Sequence, residues 1–168
     1  LRILCIEDQY TRESLAIEVG RSFKSEKVCQ ILEQLTRQRG TPDALRMDNG
    51  PEFVALALRG LCSRKGINGD YIEPGKPWQN GHAESFHARL RDEFLNGEVF
   101  LSVLDAQIRL GIWRRYYNHE RLHSSLGYKT PVEFAALFCH KGGSALPLGA
   151  SPETPVGSEV LIGPTQGG

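Results

Sequence analysis

The first part of the chain contains two short apolar runs, separated by polar residues, of the kind that is typical of strands. Residues 1–8 ("LRILCIED") and 12–20 ("RESLAIEVG") are short runs rich in β-forming residues, and a polar turn separates them. This pattern predicts a β-hairpin at the start of the chain.

The pattern then changes to a helical period. Val28, Ile31, Leu32 and Leu35 fall at positions i, i+3, i+4 and i+7, and the Gly- and Pro-containing segment "RGTP" follows them. This spacing predicts an amphipathic helix, with Ser25 as its N-cap.

Further along the chain, strand and helix patterns alternate. Strands are predicted at 43–48 and 67–73, and helices at 51–65, 81–95 and 103–118. A last helix begins at Pro131, where Thr130 and Glu133 have the spacing of a capping box. This order of elements predicts an α/β fold in which helices flank a mixed sheet.

The last part of the chain has a different composition. Residues 140–168 are dense in Gly and Pro and contain few large apolar residues. Such a segment buries too little apolar surface to offset the entropy of ordering it. We therefore expect one domain at 1–139 and a disordered tail at 140–168.

Composition bears on the partners and the cellular compartment to be expected for the protein. The 168 residues include 20 Lys and Arg against 20 Asp and Glu, so net charge alone favours no class of partner. The four cysteines lie far apart without a CxxC pair, which favours a reducing compartment. No apolar run approaches the length of a membrane helix. These features predict a cytoplasmic protein without a membrane partner.

Two acidic residues stand where a carboxylate can be presented to a metal ion. Asp48 ends a predicted strand in "RMDNGPEF", and Glu84 lies in the first turn of the helix after "PGKPWQNG". The 35 residues between them are enough for a helix, a strand and a loop, so both acids can return to one edge of the sheet. Mg²⁺ and Mn²⁺ prefer such oxygen ligands. Two solvent-exposed acids are the alternative interpretation.

The residues around Glu84 favour the metal site. Asn80 lies one helical turn before Glu84, and His87 and Arg91 lie one and two turns after it on the same face. Arg91 can therefore reach a phosphate held by a metal ion at Glu84. Lys76, in the preceding Gly- and Pro-rich loop, is either a DNA contact or part of a plain connector.

Three sequence blocks together carry a resemblance to a known family. They are "MDNGPEF", "PGKPWQNGHAESFHARLRDEFL" and "YNHERLHSSLGYKTPVEF". With their spacing, they make residues 1–138 similar to the integrase-type DDE transposases of bacterial insertion sequences, relatives of the retroviral integrase catalytic core. The resemblance implies a ribonuclease-H-like fold and DNA transposition by two-metal phosphoryl transfer with Mg²⁺ or Mn²⁺.

The resemblance also implies roles for individual residues. Asp48 corresponds to the second catalytic Asp and Glu84 to the catalytic Glu, and both would be metal ligands. Arg91 matches the basic residue expected at the transposon end, and Asn80 matches the Asn of the loop before the Glu helix. The DNA-contacting residues expected are Lys76, Asn80, His87, Arg91 and Arg121. Expected partners are transposon ends, target DNA and further copies of the chain, in the bacterial cytoplasm at the nucleoid.

One element of the family pattern has no match. The first catalytic Asp of the family lies on a strand upstream of the hairpin, and Asp8 instead matches an acidic residue at the turn after the second strand. We therefore expect the chain to lack the first strand and first metal ligand, and its transposition activity to be impaired. The alternative is a DNA-binding remnant of a transposase without catalysis.

The segment "WRRYYNHERLH" has two interpretations. Its basic and aromatic residues suit phosphate contacts and base stacking, and we expect this of Arg121. The apolar residues of the helix are expected to form the stripe that covers the sheet: Ile108, Ile112, Trp113, Tyr116 and Tyr117. A two-carboxylate glycosidase is a further alternative, for which Trp78 alone offers an aromatic residue near the acids.

Overall fold

The computed structural model describes residues 1–47, 56–71, 81–139 and 159–166. In these ranges the strands are β1 (Arg2–Asp8), β2 (Ser14–Gly20), β3 (Ala44–Met47), β4 (Asn68–Tyr71) and β5 (Glu159–Gln166). The helices are α1 (Ser25–Arg39), α2 (Leu56–Lys65), α3 (Gly81–Glu93), α4 (Val103–His119) and α5 (Pro131–Cys139), with short 3₁₀ turns at Leu95–Gly97 and Ser124–Leu126. None of these helices is both long enough and apolar enough to cross a bilayer.

The strands form one mixed sheet in the order β2-β1-β5-β3-β4. β1 is antiparallel to both β2 and β5, whereas β3 is parallel to both β5 and β4. Helices cover this sheet on both faces, so the predicted α/β fold with a mixed sheet is confirmed.

Alternate residues of β1 project to opposite faces of the sheet and belong to two different hydrophobic cores. Leu4 and Ile6 belong to the core under α1 and α2. Ile3 and Cys5 belong to the core under α3 and α4, which also contains Phe86, Leu90, Leu110, Trp113 and Tyr117. The result is a three-layer arrangement in which α3, the helix that carries Glu84, packs against the sheet.

The structure differs from the expected disordered tail at residues 159–166, which form β5 in the middle of the sheet. The first half of this segment, "EVLI", consists largely of β-forming residues, and Val160 is buried in the core. The Gly and Pro content of the whole tail concealed this short run. β5 lies between β1 and β3 and pairs with both.

Helices α1 and α5 test the sequence-based predictions of a buried face and of N-terminal caps. All four apolar residues proposed for α1 are buried, which confirms its inward face. Ser25, predicted as the N-cap, is instead the first helical residue, and Lys24 precedes it without a side-chain cap. The capping box of α5 is confirmed: the backbone N–H of Thr130 donates to Glu133 Oε2 at 2.9 Å, and that of Glu133 donates to Thr130 Oγ1 at 3.2 Å.

The prediction for α4 is wrong for three of its five residues. Trp113 and Tyr117 are buried against the sheet, as predicted. Ile108, Ile112 and Tyr116 are exposed. The helix has apolar residues on two faces, and the face that includes Ala106 and Leu110 is the one that packs inward.

Candidate active site

Helix α3 presents Glu84 and Arg91 on one exposed stripe. Ala83, Phe86 and Leu90 are buried, and they fix which face of the helix points inward. Glu84 and Arg91 lie on the opposite side and are exposed, and seven residues of helix separate them by about 10 Å along its axis. The helical spacing of these two residues thus places both side chains in solvent on the same side of α3.

Three predicted site residues, Asp48, Lys76 and Asn80, lie outside the described residues. β3 ends at Met47, immediately before Asp48 in the sequence. In the described ranges, no group of three or more His, Cys, Asp or Glu side chains is close enough to hold a metal ion. Glu84 forms no hydrogen bond or ion pair with another described residue, so its carboxylate is a free oxygen donor that fits Mg²⁺ or Mn²⁺.

His87 is half-buried rather than exposed on the stripe. Burial, reinforced by the positive charge of Arg91, lowers its pKa to about 4. Its ring lies against that of Phe86, with 6.0 Å between the ring centroids. His87 is therefore neutral at pH 7 in the free protein.

Arg121 is bound to the end of α3. Its Nε lies 2.9 Å from both carboxylate oxygens of Glu93, and its guanidinium lies 5.8 Å from the centroid of the Tyr117 ring. The hydrogen bonds to Glu93 raise the pKa of Arg121. The pair fastens the loop after α4 to α3, and the DNA-binding role of Arg121 stays a prediction.

The turn between β1 and β2 is tightly hydrogen-bonded. Asp8 Oδ1 accepts hydrogen bonds from the backbone N–H groups of Tyr10 at 2.9 Å and Thr11 at 2.8 Å. Arg12 follows with a positive φ of 61°, and its Nη2 lies 3.3 Å from His82 Nε2 in the first turn of α3. Asp8 is thus engaged in the turn, and Arg12 links that turn to the start of the Glu84 helix.

Glu7 is a buried carboxyl group that the sequence analysis did not single out. It is 3% exposed, and burial raises its pKa to about 8 despite the nearby charges of Arg12 and Arg89. Among the described residues its Oε1 has no hydrogen-bond partner. A signal was present, since strand alternation puts Glu7 on the same face as Ile3 and Cys5.

The polar side chains around Glu7 are also buried, and burial shifts their pKa values towards the uncharged form. Burial raises the pKa of Tyr117, and the charge of Glu7 adds to this. Burial also lowers the pKa of His123 to about 4, and its Nε2 has no partner in the part of the chain that the structure describes. Its ring meets the Tyr117 ring edge-on at 4.8 Å. This polar cluster lies beneath α3 and is uncharged at neutral pH except for its arginines.

Comparison with known families accounts for most of the chain. Two models, both described as integrase core domain, match residues 1–77 and 65–131. An uncharacterized 39.2 kDa protein of insertion element IS476 from Xanthomonas euvesicatoria is 42% identical over 136 residues. A 31.7 kDa protein of IS407 from Burkholderia multivorans is 38% identical over 136 residues. These matches cover 81% of the chain but only 39% and 49% of the relatives. The chain therefore spans less than half the length of either relative.

Solved structures agree on the fold. The catalytic core domain of BIV integrase matches with a TM-score of 0.59 at 24% identity, over 77% of this chain and 82% of that one. A simian T-cell lymphotropic virus intasome chain matches with a TM-score of 0.63 at 17% identity, over 88% of this chain and 51% of that one. The two integrase-core models, which together match residues 1–131, and the insertion-element relatives show that the chain belongs to the integrase-core family of insertion-sequence transposases.

Proposed function

We propose that this chain is the catalytic core of a transposase that cuts and joins DNA at transposon ends. The observation that carries the proposal is the free, exposed carboxylate of Glu84 in the first turn of α3, with Arg91 two turns further along the same exposed stripe. The chain order adds support, because Asp48 directly follows the parallel strand β3.

Asp48 and Glu84 would hold Mg²⁺ or Mn²⁺. When bound, such ions activate an attacking hydroxyl group and stabilise the leaving oxygen of a phosphodiester. Arg91 would bind a phosphate of the transposon end through its guanidinium group, since it forms no ion pair with the described residues. Lys76, Asn80 and His87 would add contacts to the DNA beside the metal ligands.

The activity of this chain by itself is expected to be weak, because the residues of β5 that pair with Arg46 and Met47 at the end of β3 are Leu161 and Ile162, neither of which is acidic. Glu159 is the only acidic residue of β5, and it pairs with Ala44, the first residue of β3. Asp48 comes one residue after Met47, the last residue of β3, which pairs with Ile162. The described part of β5 thus supplies no acidic residue beside the end of β3.

Replacement of Glu84 by Gln is expected to lower Mn²⁺-dependent cleavage and joining by at least about 100-fold, because the amide removes the charge that holds the cation. The assay measures release of a labelled strand from a transposon-end duplex with Mn²⁺. Glu120→Gln, an exposed carboxylate at the end of α4, is the matched control and should keep the parent activity. Equal and measurable activity of Glu84→Gln and its parent, in this chain or in one extended upstream, would refute the catalytic role of Glu84.

The alternative interpretation, a DNA-binding remnant without catalysis, is tested with the same chain and the same transposon-end duplex. Arg91→Ala is expected to weaken binding to a transposon-end duplex. It should also reduce the slope of log K against log [salt] by about one, which corresponds to the loss of one phosphate contact. Arg37→Ala, an exposed arginine of α1 on the other face of the sheet, is the control. If Arg91→Ala weakens binding while neither the parent chain nor a chain extended upstream cleaves DNA with Mn²⁺, the remnant interpretation replaces the catalytic one.

We propose further that the protein self-associates through α4. Leu104, Ile108, Ile112 and Tyr116 follow one another at four-residue intervals and are all exposed, with Ile112 at 66%. Ile112 and Tyr116 also line a groove of about 310 Å³ together with Phe94, Arg109 and Trp113. An exposed apolar stripe of this length is typical of an interaction surface, and a second copy of α4 offers the same stripe in return.

Replacement of Ile112 by Asp is expected to weaken self-association by at least about tenfold, since a charge would be buried in an apolar contact. Sedimentation velocity over a concentration series measures the effect. Leu56→Asp is the control, because Leu56 is also highly exposed but begins α2 on the other side of the sheet. A parent chain that stays monomeric, or an Ile112 variant that associates like the parent, would contradict this surface.

A further inference from the structure

The sheet consists of two halves that β5 joins. β2 and β1 form one antiparallel pair, and β3 and β4 form one parallel pair. In the described residues β1 and β3 are not neighbours, because β5 lies between them and pairs with both. Without β5, each half would present a row of unpaired backbone N–H and C=O groups to the other. The slot between β1 and β3 therefore requires a strand.

The strand that fills this slot is far in sequence from everything it contacts. β5 packs mainly against β1, β3 and α3, all of which end before residue 94. Nineteen residues, 140–158, connect it to the end of α5. A connection of this length can span up to about 60 Å when extended. Its length therefore does not require β5 to enter the slot of its own chain.

From this topology we propose that the slot between β1 and β3 accepts β5 from a second copy of the chain, and that two copies exchange β5 reciprocally. Every backbone hydrogen bond of the slot is the same in the exchanged and unexchanged forms, so exchange costs no pairing. Each copy gives one strand and receives one, which closes a two-fold symmetric dimer. The inference rests on the strand order and does not depend on the transposase proposal.

The register of β5 differs between its two neighbours. Residues 159–162 pair with β3, whereas residues 160–166 pair with β1. Pairing with β3 thus ends where Gly163 and Pro164 begin, and Pro164 has no N–H with which to extend it. In the described strands, residues 163–166 pair with β1 alone.

The proposed exchange has a defined concentration range. A tether of this length gives β5 an effective concentration in its own slot of about 1 mM. Exchange between chains therefore becomes comparable with self-pairing as the protein concentration approaches about 1 mM, and it is rare at about 1 µM.

A disulfide between Cys5 and a cysteine at position 163 tests the proposal. Cys5 pairs directly with Gly163, and Cα atoms of opposed residues in antiparallel strands are about 4.5 to 5.5 Å apart, within the range a disulfide spans. Gly163→Cys is made with Cys29, Cys62 and Cys139 replaced by Ala. The protein is refolded from urea at about 1 µM and about 1 mM, oxidised, and analysed on a non-reducing gel.

Exchange predicts that the fraction of covalent dimer rises at least about tenfold between these two concentrations. Pairing within one chain alone predicts an internally bridged monomer at both concentrations and would overturn the proposal. Thr165→Cys in the same background is the matched control, because position 165 pairs with Ile3 and lies diagonally from Cys5. The series is repeated with Ile112→Asp, so that association through α4 does not contribute.

A second pair keeps the test decisive if Gly163→Cys does not fold. Arg2 pairs with Gln166 at the open end of the same ladder, and Arg2 is exposed. Arg2→Cys with Gln166→Cys, in a chain in which all four natural cysteines are Ala, is treated in the same way. A dimer that increases with concentration supports exchange. Monomer alone, or no bridge in either variant, rejects it.

Discussion

Replacement of Glu7 by Gln is expected to stabilise the protein at pH 8 by roughly 3 to 5 kcal/mol more than at pH 4.5. Burial raises the pKa of Glu7 from its ordinary value of 4.5 to about 8. Between these values the folded state keeps the proton and the unfolded state has released it. The free energy of unfolding of the parent chain therefore falls by about 1.4 kcal/mol per pH unit.

The sign of this effect follows from the raised pKa. The stability that the Glu7 proton contributes is fully present below pH 4.5 and is lost as the pH rises to about 8, above which both states are ionised. Gln keeps the size of the side chain but cannot ionise, so it removes this loss. Urea unfolding of the variant and the parent chain at pH 4.5, 5, 6, 7 and 8 measures how the difference in their free energies of unfolding changes with pH.

The control for Glu7 is Glu120→Gln, which replaces an exposed carboxylate and should follow the parent chain at every pH. Parallel stability curves for the Glu7 variant and the parent between pH 5 and 8 would show that Glu7 is ionised in the folded protein. The charges of Arg12 and Arg89 would then outweigh the burial of Glu7.

Replacement of Asn118 by Ala is the second change expected to have a large effect, a loss of about 2 to 4 kcal/mol in the free energy of unfolding. Asn118 is 4% exposed, its Oδ1 accepts from the backbone N–H of Ser14 at 2.9 Å, and its Nδ2 donates to the Ser14 carbonyl at 2.9 Å. Arg114 Nε also donates to that carbonyl, at 2.7 Å. The Ala variant therefore leaves mainly the buried Ser14 N–H without a partner.

The reason for this clamp lies in the hairpin. The pairing of β1 with β2 is irregular between Ile6 and Glu7, and Glu7 pairs with Ser14. The amide of Asn118 satisfies the Ser14 backbone at this irregularity and fastens α4 to β2. Asn96→Ala, at an exposed asparagine, is the control and should change stability by less than about 0.5 kcal/mol. A comparably small effect at Asn118 would contradict the clamp.

Elements with one dominant period were predictable from sequence. The apolar residues of α1 recur on one face, and the structure buries that face. Helix α4 was harder, since both the face with Leu110 and Trp113 and the face with Ile108 and Ile112 are apolar. Periodicity identifies a helix of this kind but cannot decide which apolar face meets the sheet. That choice depends on the shape of the strands beneath it.

β5 was not predictable because its stability comes from other parts of the chain. Four residues of strand-forming character in a Gly- and Pro-rich segment are a weak local signal. The two open edges of β1 and β3 exist only after the rest of the sheet has formed. Tertiary context therefore overrides the composition of the segment.

The candidate site was predictable only in part, because spacing along a helix indicates its exposed face but not its contacts with other elements. Helical spacing alone correctly put Glu84 and Arg91 on one exposed face of α3. Spacing could not indicate that Arg121 binds Glu93, because that contact joins the loop after α4 to the end of α3. Nor could it indicate that His87 is neutral, since the burial that lowers its pKa depends on packing.

The position of β5 has a consequence for synthesis on the ribosome. Both halves of the sheet leave the ribosome before residue 159 is translated, and neither can be completed until β5 follows. During that interval a nascent chain exposes the facing edges of β1 and β3, which are templates for wrong pairing. Correct folding is therefore expected to depend on how quickly residues 159–166 follow and on chaperones that shield strand edges.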